Sequence, residues 1–107
     1  MGYHMETEAR VYTRYSILTE DINRGGVVRL CRNHRIDCTL YAGVGLFNGK
    51  IEASLTLVHL APLEANVREE IKALARDIKA ENNQREIWIT EETVTLKKLL
   101  DNAPAIG

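Results

Sequence analysis

The sequence predicts an α+β domain in which two helices cover one face of an antiparallel sheet. Three observations lead to this prediction. An Asn48-Gly49 pair between two alternating apolar runs indicates a β-hairpin. Apolar residues recur at helical spacing before and after that hairpin, and a further alternating run stands at each end of the series. The order is therefore β-α-β-β-α-β, the ferredoxin-like split βαβ arrangement.

The hairpin spans residues 39–60 and is the strongest local signal in the chain. A type I′ turn needs positive φ at both central residues, which Asn and Gly tolerate. That turn fixes the register of the two strands. The predicted partners are Phe47 with Lys50, Leu46 with Ile51, Gly45 with Glu52, Val44 with Ala53, Gly43 with Ser54, Ala42 with Leu55 and Tyr41 with Thr56.

The two faces of this hairpin differ in chemistry. One face is apolar and is expected against the helices: Leu40, Ala42, Val44, Leu46, Ile51, Ala53, Leu55 and Leu57. The other carries Tyr41, Gly43, Gly45, Phe47, Lys50, Glu52, Ser54 and Thr56. Mid-strand glycines often mark a close approach to the backbone. Glu52 opposite Gly45 therefore indicates either a ligand groove or subunit interface, or merely a solvated outer face.

The elements before the hairpin are a strand and a helix. Alternation predicts the strand over residues 10–19, and Asp21 is expected to cap a helix from about Ile22 to His34. Candidates for burial in this helix are Ile22, Val27, Val28, Leu30 and Cys31. Gly25-Gly26 conflicts with an early start, since each glycine costs about 1 kcal/mol in a helix interior. Either the helix starts late or the pair permits a close approach. His34 is interpreted as a surface residue near the helix C-terminus.

The elements after the hairpin are a second helix and a last strand. Ala61-Pro62 indicates a helix start, and the helix is expected over residues 63–82. Its apolar stripe comprises Val67, Ile71, Leu74, Ala75 and Ile78. The last strand is expected over residues 85–90, with Ile87 and Ile89 inward and Trp88 on the other face. Residues 93–100 fit either a fifth short strand or a terminal helix.

Length and composition limit the function classes. We expect a vector remnant and frayed residues over 1–9, one domain over 10–100 and a tail over 101–107. The net charge of −1 gives no general reason to bind nucleic acid. No apolar run approaches the roughly 20 residues that span a membrane, and no signal peptide is recognisable, so a cytoplasmic protein is expected. Cys31 and Cys38 are expected as free thiols, with no metal site and no cofactor.

The predicted topology leaves one sheet face without internal cover. That face includes Trp88 and the glycine-bearing side of the hairpin. Apolar and aromatic side chains there need a partner, and a second copy of the chain is the simplest one. A homo-oligomer is therefore expected.

A resemblance to a known family extends these expectations. The block GLFNGKIEASLTLVHL, then a helix, then NNQREIWITEETVTLKKL resembles the small S-adenosylmethionine lyases of bacteriophages, over roughly residues 11–100. The matching features are a glycine and an aromatic residue ending the second strand, a glutamate early in the third, a glutamine before the last strand and carboxylates after it. In this sequence they are Gly45, Phe47, Glu52, Gln84, Glu91 and Glu92.

The resemblance implies a PII-like ferredoxin fold, a trimer and an adenosyl ligand. It implies cleavage of S-adenosylmethionine to methylthioadenosine and homoserine lactone, as a phage defence against host restriction in the host cytoplasm. Glu52 and Glu92 are then expected to be catalytic. The expected substrate-binding residues are Tyr41, Gly43, Gly45, Phe47, Ser54, Trp88 and Glu91.

Two other functions stay open at this point. One is a non-catalytic PII-like trimer that binds a nucleotide at clefts between subunits, as a regulator or an anti-defence sponge. The other is a purely structural interaction module, in which Glu52 is a solvated strand residue and Glu91-Glu92 a charged turn. Turnover of S-adenosylmethionine would distinguish the lyase from both of these alternatives.

Overall fold

The structure is a computed structural model that describes the backbone of residues 5–101 and the side chains of residues 8–99. Its elements are β1 (Met5–Glu20), α1 (Arg24–Asn33), β2 (Thr39–Phe47), β3 (Lys50–Pro62), α2 (Arg68–Glu81) and β4 (Trp88–Asp101). The strands form one sheet in the order β2-β3-β1-β4, with every neighbouring pair antiparallel. The predicted β-α-β-β-α-β order and the sheet with two helices are confirmed.

The core lies between the sheet and the two helices. The sheet contributes Ile17, Leu55 and Leu57, each 1% exposed. The predicted stripe of α2 faces them through Ile71, Leu74, Ala75 and Ile78, and α1 adds Val27, Leu30 and Cys31. The apolar faces that strand alternation and helical spacing predict therefore pack together in one layer. The opposite side of the sheet is called the open face below.

The start of α1 differs from the sequence prediction. Asn23, not Asp21, is the N-cap, and its Oδ1 accepts a hydrogen bond from the Gly26 amide. The Asp21 carboxylate instead pairs with Arg24. Ile22 precedes the helix and is exposed rather than buried, because the chain there is still crossing from the sheet. The late start keeps Gly25 and Gly26 in the first turn, where their helix cost is smallest.

The remaining boundaries also shift. β3 runs to Pro62, so this proline ends a strand and does not begin a helix; α2 starts at Arg68. The last strand starts at Trp88 and continues unbroken to Asp101, since β1 offers a paired edge along its whole length. Residues 5–9, expected to be frayed, belong to β1. The remainder of the expected remnant and tail, 1–4 and 102–107, lies outside the described residues.

Two ribbons extend the molecule at opposite ends. β3 pairs with β1 only from Tyr12↔Pro62 to Glu20↔Ser54. The hairpin beyond Ser54 therefore projects at one end, and the β1–β4 ribbon beyond Tyr12 projects at the other. The radius of gyration is 18.0 Å and the principal extents are 59 × 30 × 26 Å. A compact domain of this length has a radius of gyration of roughly 13 Å. Neither helix is long and apolar enough to cross a bilayer within the described residues.

Candidate functional site

The hairpin turn adopts the predicted conformation. Asn48 has φ of 50° and Gly49 has φ of 77°, as a type I′ turn requires. All seven predicted cross-strand partners between Tyr41 and Thr56 are confirmed. Below, the tip means residues 44–53 of the hairpin, and the base means the remainder of β2 and β3.

The apolar face of the hairpin is covered at the base only. Leu40, Leu55 and Leu57 pack with the core as expected. In contrast, Val44 is 75% exposed, Leu46 70% and Ile51 78%. Ala42 and Ala53 of the same face are exposed as well. The expectation that these five residues lie against the helices is wrong, because the hairpin projects beyond the helical layer from about Ala42 onward. The tip thus presents an uncovered apolar surface within the described chain.

The two mid-strand glycines on the open face of the hairpin are partly covered by neighbouring side chains. The ring of Phe47 folds back over Gly45, so that a Cβ placed on Gly45 would overlap the ring. A Cβ on Gly43 would lie 3.2 Å from Oγ of Ser54. Glu52 is the cross-strand partner of Gly45, so its side chain emerges beside the Phe47 ring. Phe47 is still 56% exposed and turns one side of its ring to solvent.

A row of side chains crosses the open face at the base. Tyr41 pairs with Thr56, Thr56 with Leu18, and Leu18 with Trp88. Cross-strand partners point to the same side of a sheet, so the two aromatic residues stand at the two edges of one row. Trp88 is 64% exposed. Leu18 and Thr56 are not among the predicted site residues, although the alternation of their strands places both on this face.

The two predicted catalytic carboxylates lie far apart in one chain. Glu92 pairs with Arg14 of β1, which pairs with Leu60 of β3. Glu52 is eight residues from Leu60 along β3, or roughly 26 Å at about 3.3 Å per residue. One chain therefore does not bring Glu52 and Glu92 to the same small ligand.

Glu91 and Glu92 lie on opposite faces of β4. Glu92 is on the open face, where its Oε2 accepts a hydrogen bond of 2.9 Å from Arg14. Glu91 is on the helical face and accepts bonds of 2.8 and 3.3 Å from Arg68. Arg68 lowers the pKa of Glu91, and a hydrogen bond from Tyr15 adds to this effect. Glu91 thus ties β4 to the start of α2, away from the other predicted binding residues.

Gln84 is also engaged within the chain. Its Oε1 accepts hydrogen bonds from Thr19 and, at 3.0 Å, from Asn82. Its amide nitrogen donates to the Glu86 carbonyl at 3.3 Å. These bonds hold the segment between α2 and β4 against the end of β1. Within the described residues, no group of three or more His, Cys, Asp or Glu side chains is arranged to hold a metal ion.

The fold is similar to two groups of solved proteins. CPII, a nitrogen regulatory PII-like protein from Thiomonas intermedia K12 bound to ADP, AMP and bicarbonate, has a TM-score of 0.58 at 10% identity, covering 83% of this chain and 96% of that chain. A phage SAM lyase in complex with S-methyl-5′-thioadenosine has a TM-score of 0.58 at 9% identity, covering 82% of this chain and 90% of that chain.

A phage SAM lyase in the apo state has a TM-score of 0.51 at 16% identity and covers 84% of this chain and 90% of that chain. No protein-family model and no curated protein matches the sequence. At these identities the likeness shows the fold alone. The chain has the PII-like ferredoxin fold that the resemblance implied.

Proposed function

We propose that this chain is a phage S-adenosylmethionine lyase, acting in the host cytoplasm to remove the methyl donor that host restriction–modification systems use. The observation that carries this proposal is the Phe47 ring lying on Gly45 beside Glu52, on the open face of the tip. An exposed aromatic face attracts a cation through its quadrupole, and a neighbouring carboxylate adds a charge interaction. Together they suit a sulfonium ion.

In the proposed reaction, the main task of the protein is to orient the substrate. The carboxylate of the substrate's methionyl part attacks its own γ-carbon, forming the C–O bond of homoserine lactone. The C–S bond breaks, its electron pair returns to sulfur, and methylthioadenosine leaves as a neutral thioether. No proton has to move in this step. Holding the carboxylate in line with the C–S bond therefore supplies most of the acceleration.

We further propose that the site is completed by a neighbouring copy in a homotrimer. The separation of Glu52 from Glu92 exceeds the span of one adenosyl ligand. Glu52 and Phe47 of one copy would therefore act with Trp88 and Glu92 of the next. Such a head-to-tail contact closes into a ring when the rotation allows it. The exposed apolar side chains of the tip, Val44, Leu46 and Ile51, support a contact at this end of the molecule.

The solved structures support the same class of ligand. One similar phage lyase was solved with S-methyl-5′-thioadenosine, and one similar PII-like protein with ADP and AMP. The latter favours a second candidate, a non-catalytic PII-like trimer that binds an adenine nucleotide. The charge of the ligand distinguishes the two candidate functions, because a carboxylate repels the phosphates of a nucleotide and attracts a sulfonium. Glu52 beside Phe47 therefore favours the lyase.

Turnover is the direct test. Purified protein is incubated with S-adenosylmethionine, and methylthioadenosine and homoserine lactone are followed by chromatography. Glu52→Gln keeps the size and removes the charge, so we expect a rate loss of about 100-fold or more. The matched control is Glu69→Gln, an exposed carboxylate of α2, which should keep the rate. A wild type that binds ADP but leaves S-adenosylmethionine intact would support the nucleotide-binding candidate instead.

Mixed oligomers test the shared site. Glu52→Gln and Glu92→Gln chains are co-expressed with different tags and the mixed species is purified. If the two residues act across a subunit boundary, each mixed trimer has both glutamates intact at one of its three boundaries, so we expect about a third of the wild-type rate. Homo-oligomers of either variant should stay inactive. Sedimentation should give three times the 12.1 kDa chain mass, and a monomer at micromolar concentration would contradict the trimer.

A further inference from the structure

Cys31 and Cys38 lie at the two ends of the segment that connects α1 to β2. Cys31 is in the last turn of α1, and Cys38 directly precedes Thr39, the first residue of β2. Both are free thiols. Neither has a place in the proposed lyase site, which lies on the other face of the sheet and at the tip.

The connecting segment folds back tightly and brings the two cysteines together. Arg35 takes a left-handed φ of 56°, and the Ile36 amide donates a 3.0 Å hydrogen bond to the Cys31 carbonyl. Ile36 is buried, which fixes the direction of the chain after the turn. Cys38 follows two residues later and packs against the core cluster that contains Cys31. The chain thus turns back after α1 and places Cys38 against the cluster that contains Cys31.

The two thiols affect each other's ionisation. A hydrogen bond from the Cys38 thiol lowers the pKa of Cys31, and the nearby His34 lowers it further, while burial opposes both. The same hydrogen bond, together with burial, raises the pKa of Cys38. Cys31 is therefore the preferred thiolate of the pair, and Cys38 lines the same cleft.

A cleft gives small molecules access to both sulfurs. It has a volume of about 370 Å³, and its lining includes Cys31, Cys38, Val28, Arg32 and Arg35. Cys31 is only 7% exposed, so the cleft is its route to solvent. A peroxide is small enough to enter. Larger reagents meet Cys38 first, since it is the more exposed of the two.

We propose that Cys31 and Cys38 form a redox pair that hydrogen peroxide converts into an intramolecular disulfide. The Cys31 thiolate attacks one peroxide oxygen, the O–O bond breaks, and hydroxide leaves, giving a sulfenic acid. Cys38 then attacks the Cys31 sulfur, the S–O bond breaks, and the second oxygen leaves as water. Two thiols are oxidised by two electrons, and one peroxide is reduced to two waters. Cellular dithiols reverse the step.

The disulfide would tie the end of α1 to the start of β2. It closes the short loop of residues 31–38 around the cleft, at the base of the strand that carries the tip. Disulfides in reducing compartments are usually transient and act in redox sensing. The pair thus gives the α1–β2 connection an oxidised and a reduced form.

Peptide mapping tests this proposal without reference to lyase activity. The protein is treated with hydrogen peroxide, quenched in acid, unfolded, alkylated with iodoacetamide and cut with trypsin. Trypsin cleaves after Arg32 and Arg35, between the two cysteines. In the oxidised sample, we expect the peptides of residues 30–32 and 36–50 to be joined and to carry no alkyl group. After dithiothreitol, both should appear separately and alkylated.

The single variants complete the test. Cys31→Ser and Cys38→Ser should each abolish the joined peptides, and their circular dichroism checks that they fold. Denaturing gel electrophoresis without reductant distinguishes a bond within one chain from a bond between chains, because it separates the non-covalent oligomer. Two alkylated cysteines after peroxide treatment, or joined peptides found only in a covalent dimer, would overturn the proposal. The peptide mapping does not depend on turnover, so a wild type without lyase activity would contradict the proposed function and not the redox pair.

Discussion

The base and the tip of the β2–β3 hairpin carry similar side chains in the same alternation and meet opposite environments. At the base, Leu55 and Leu57 are 1% exposed and belong to the core between the sheet and the helices. At the tip, Leu46 and Ile51 are on the same face and are 70% and 78% exposed. Strand alternation thus determines the face of a side chain, but not whether that face is covered.

Element lengths explain the difference. α2 has 14 residues and spans about 21 Å at 1.5 Å per residue. β3 has 13 residues and spans about 43 Å at 3.3 Å per residue. A helical layer of that length is about half as long as β3, so it cannot cover the whole strand. The uncovered part needs another partner, and the proposed neighbouring copy is one.

Among variants that test the difference between base and tip, the largest change in unfolding free energy is expected at the base. Leu57→Ala removes a fully buried side chain and leaves a cavity, so we expect the free energy of unfolding to fall by about 2–5 kcal/mol. The matched variant Leu46→Ala acts on an exposed site of one chain and should cost under about 0.5 kcal/mol. Urea denaturation at low protein concentration measures both.

Repeating the measurement at several protein concentrations shows whether another copy covers the tip. If Leu46→Ala costs little in dilute solution but several-fold more at high concentration, another copy buries the tip. Equal costs for Leu57→Ala and Leu46→Ala in the monomer would contradict the exposure of the tip.

A smaller effect is expected at the turn that ends the tip. Gly49 has φ of 77°, where a branched Cβ is strained. Gly49→Val should therefore lower the free energy of unfolding by about 1–2 kcal/mol. Thermal unfolding of Gly49→Val beside Gly49→Asn, which tolerates positive φ better, gives the comparison. An unchanged melting temperature for both would mean that the turn is not held in this conformation.

The paired glycines of α1 should respond in opposite directions. Gly25 has open space where a Cβ would stand, so Gly25→Ala should stabilise the protein by about 0.5–1 kcal/mol. A Cβ on Gly26 would overlap the Asn23 side chain and lie 2.6 Å from Oε2 of Glu81. Gly26→Ala should therefore lose the cap, at about 1 kcal/mol. Melting temperatures that move the same way would contradict this assignment.

The smallest effect concerns the pair of helices over the base. Nδ1 of His34 contacts Glu70 and Nε2 contacts Asp77, each at 2.6 Å, so the imidazolium links α1 to α2. Glu70 raises the pKa of His34, and Asp77 adds to this, while burial opposes it. A raised folded pKa means that this stabilisation is complete below about pH 6.5 and is lost as the pH rises through the folded value.

The test compares His34→Gln with the wild type at pH 6 and pH 9. The difference in unfolding free energy should be larger at pH 6, and under about 1 kcal/mol, since both carboxylates are half exposed. A difference that grows towards pH 9 would exclude the charged pairing.

The sequence by itself determined the order of elements, the hairpin register and the stripe of α2. These features are local: Asn48-Gly49 can form few other turns, and the apolar spacing of Ile71, Leu74 and Ile78 fits one helix face. The alternation of β1 and β4 likewise placed Trp88 on the open face. Local chemistry is enough where each signal has a single compatible geometry.

Only the tertiary structure decided which parts of those faces are covered and which site residues meet. Strand lengths depend on pairing, so the extension of β4 to Asp101 followed from the edge that β1 offers. The separation of Glu52 from Glu92 follows from the sheet order, which the hydrophobic pattern does not contain. Glu91 and Glu92 lie on opposite faces because β4 continues through them. The sequence allowed a charged turn at the same place. Distances across a sheet depend on which strands are neighbours, and this is a property of the whole fold.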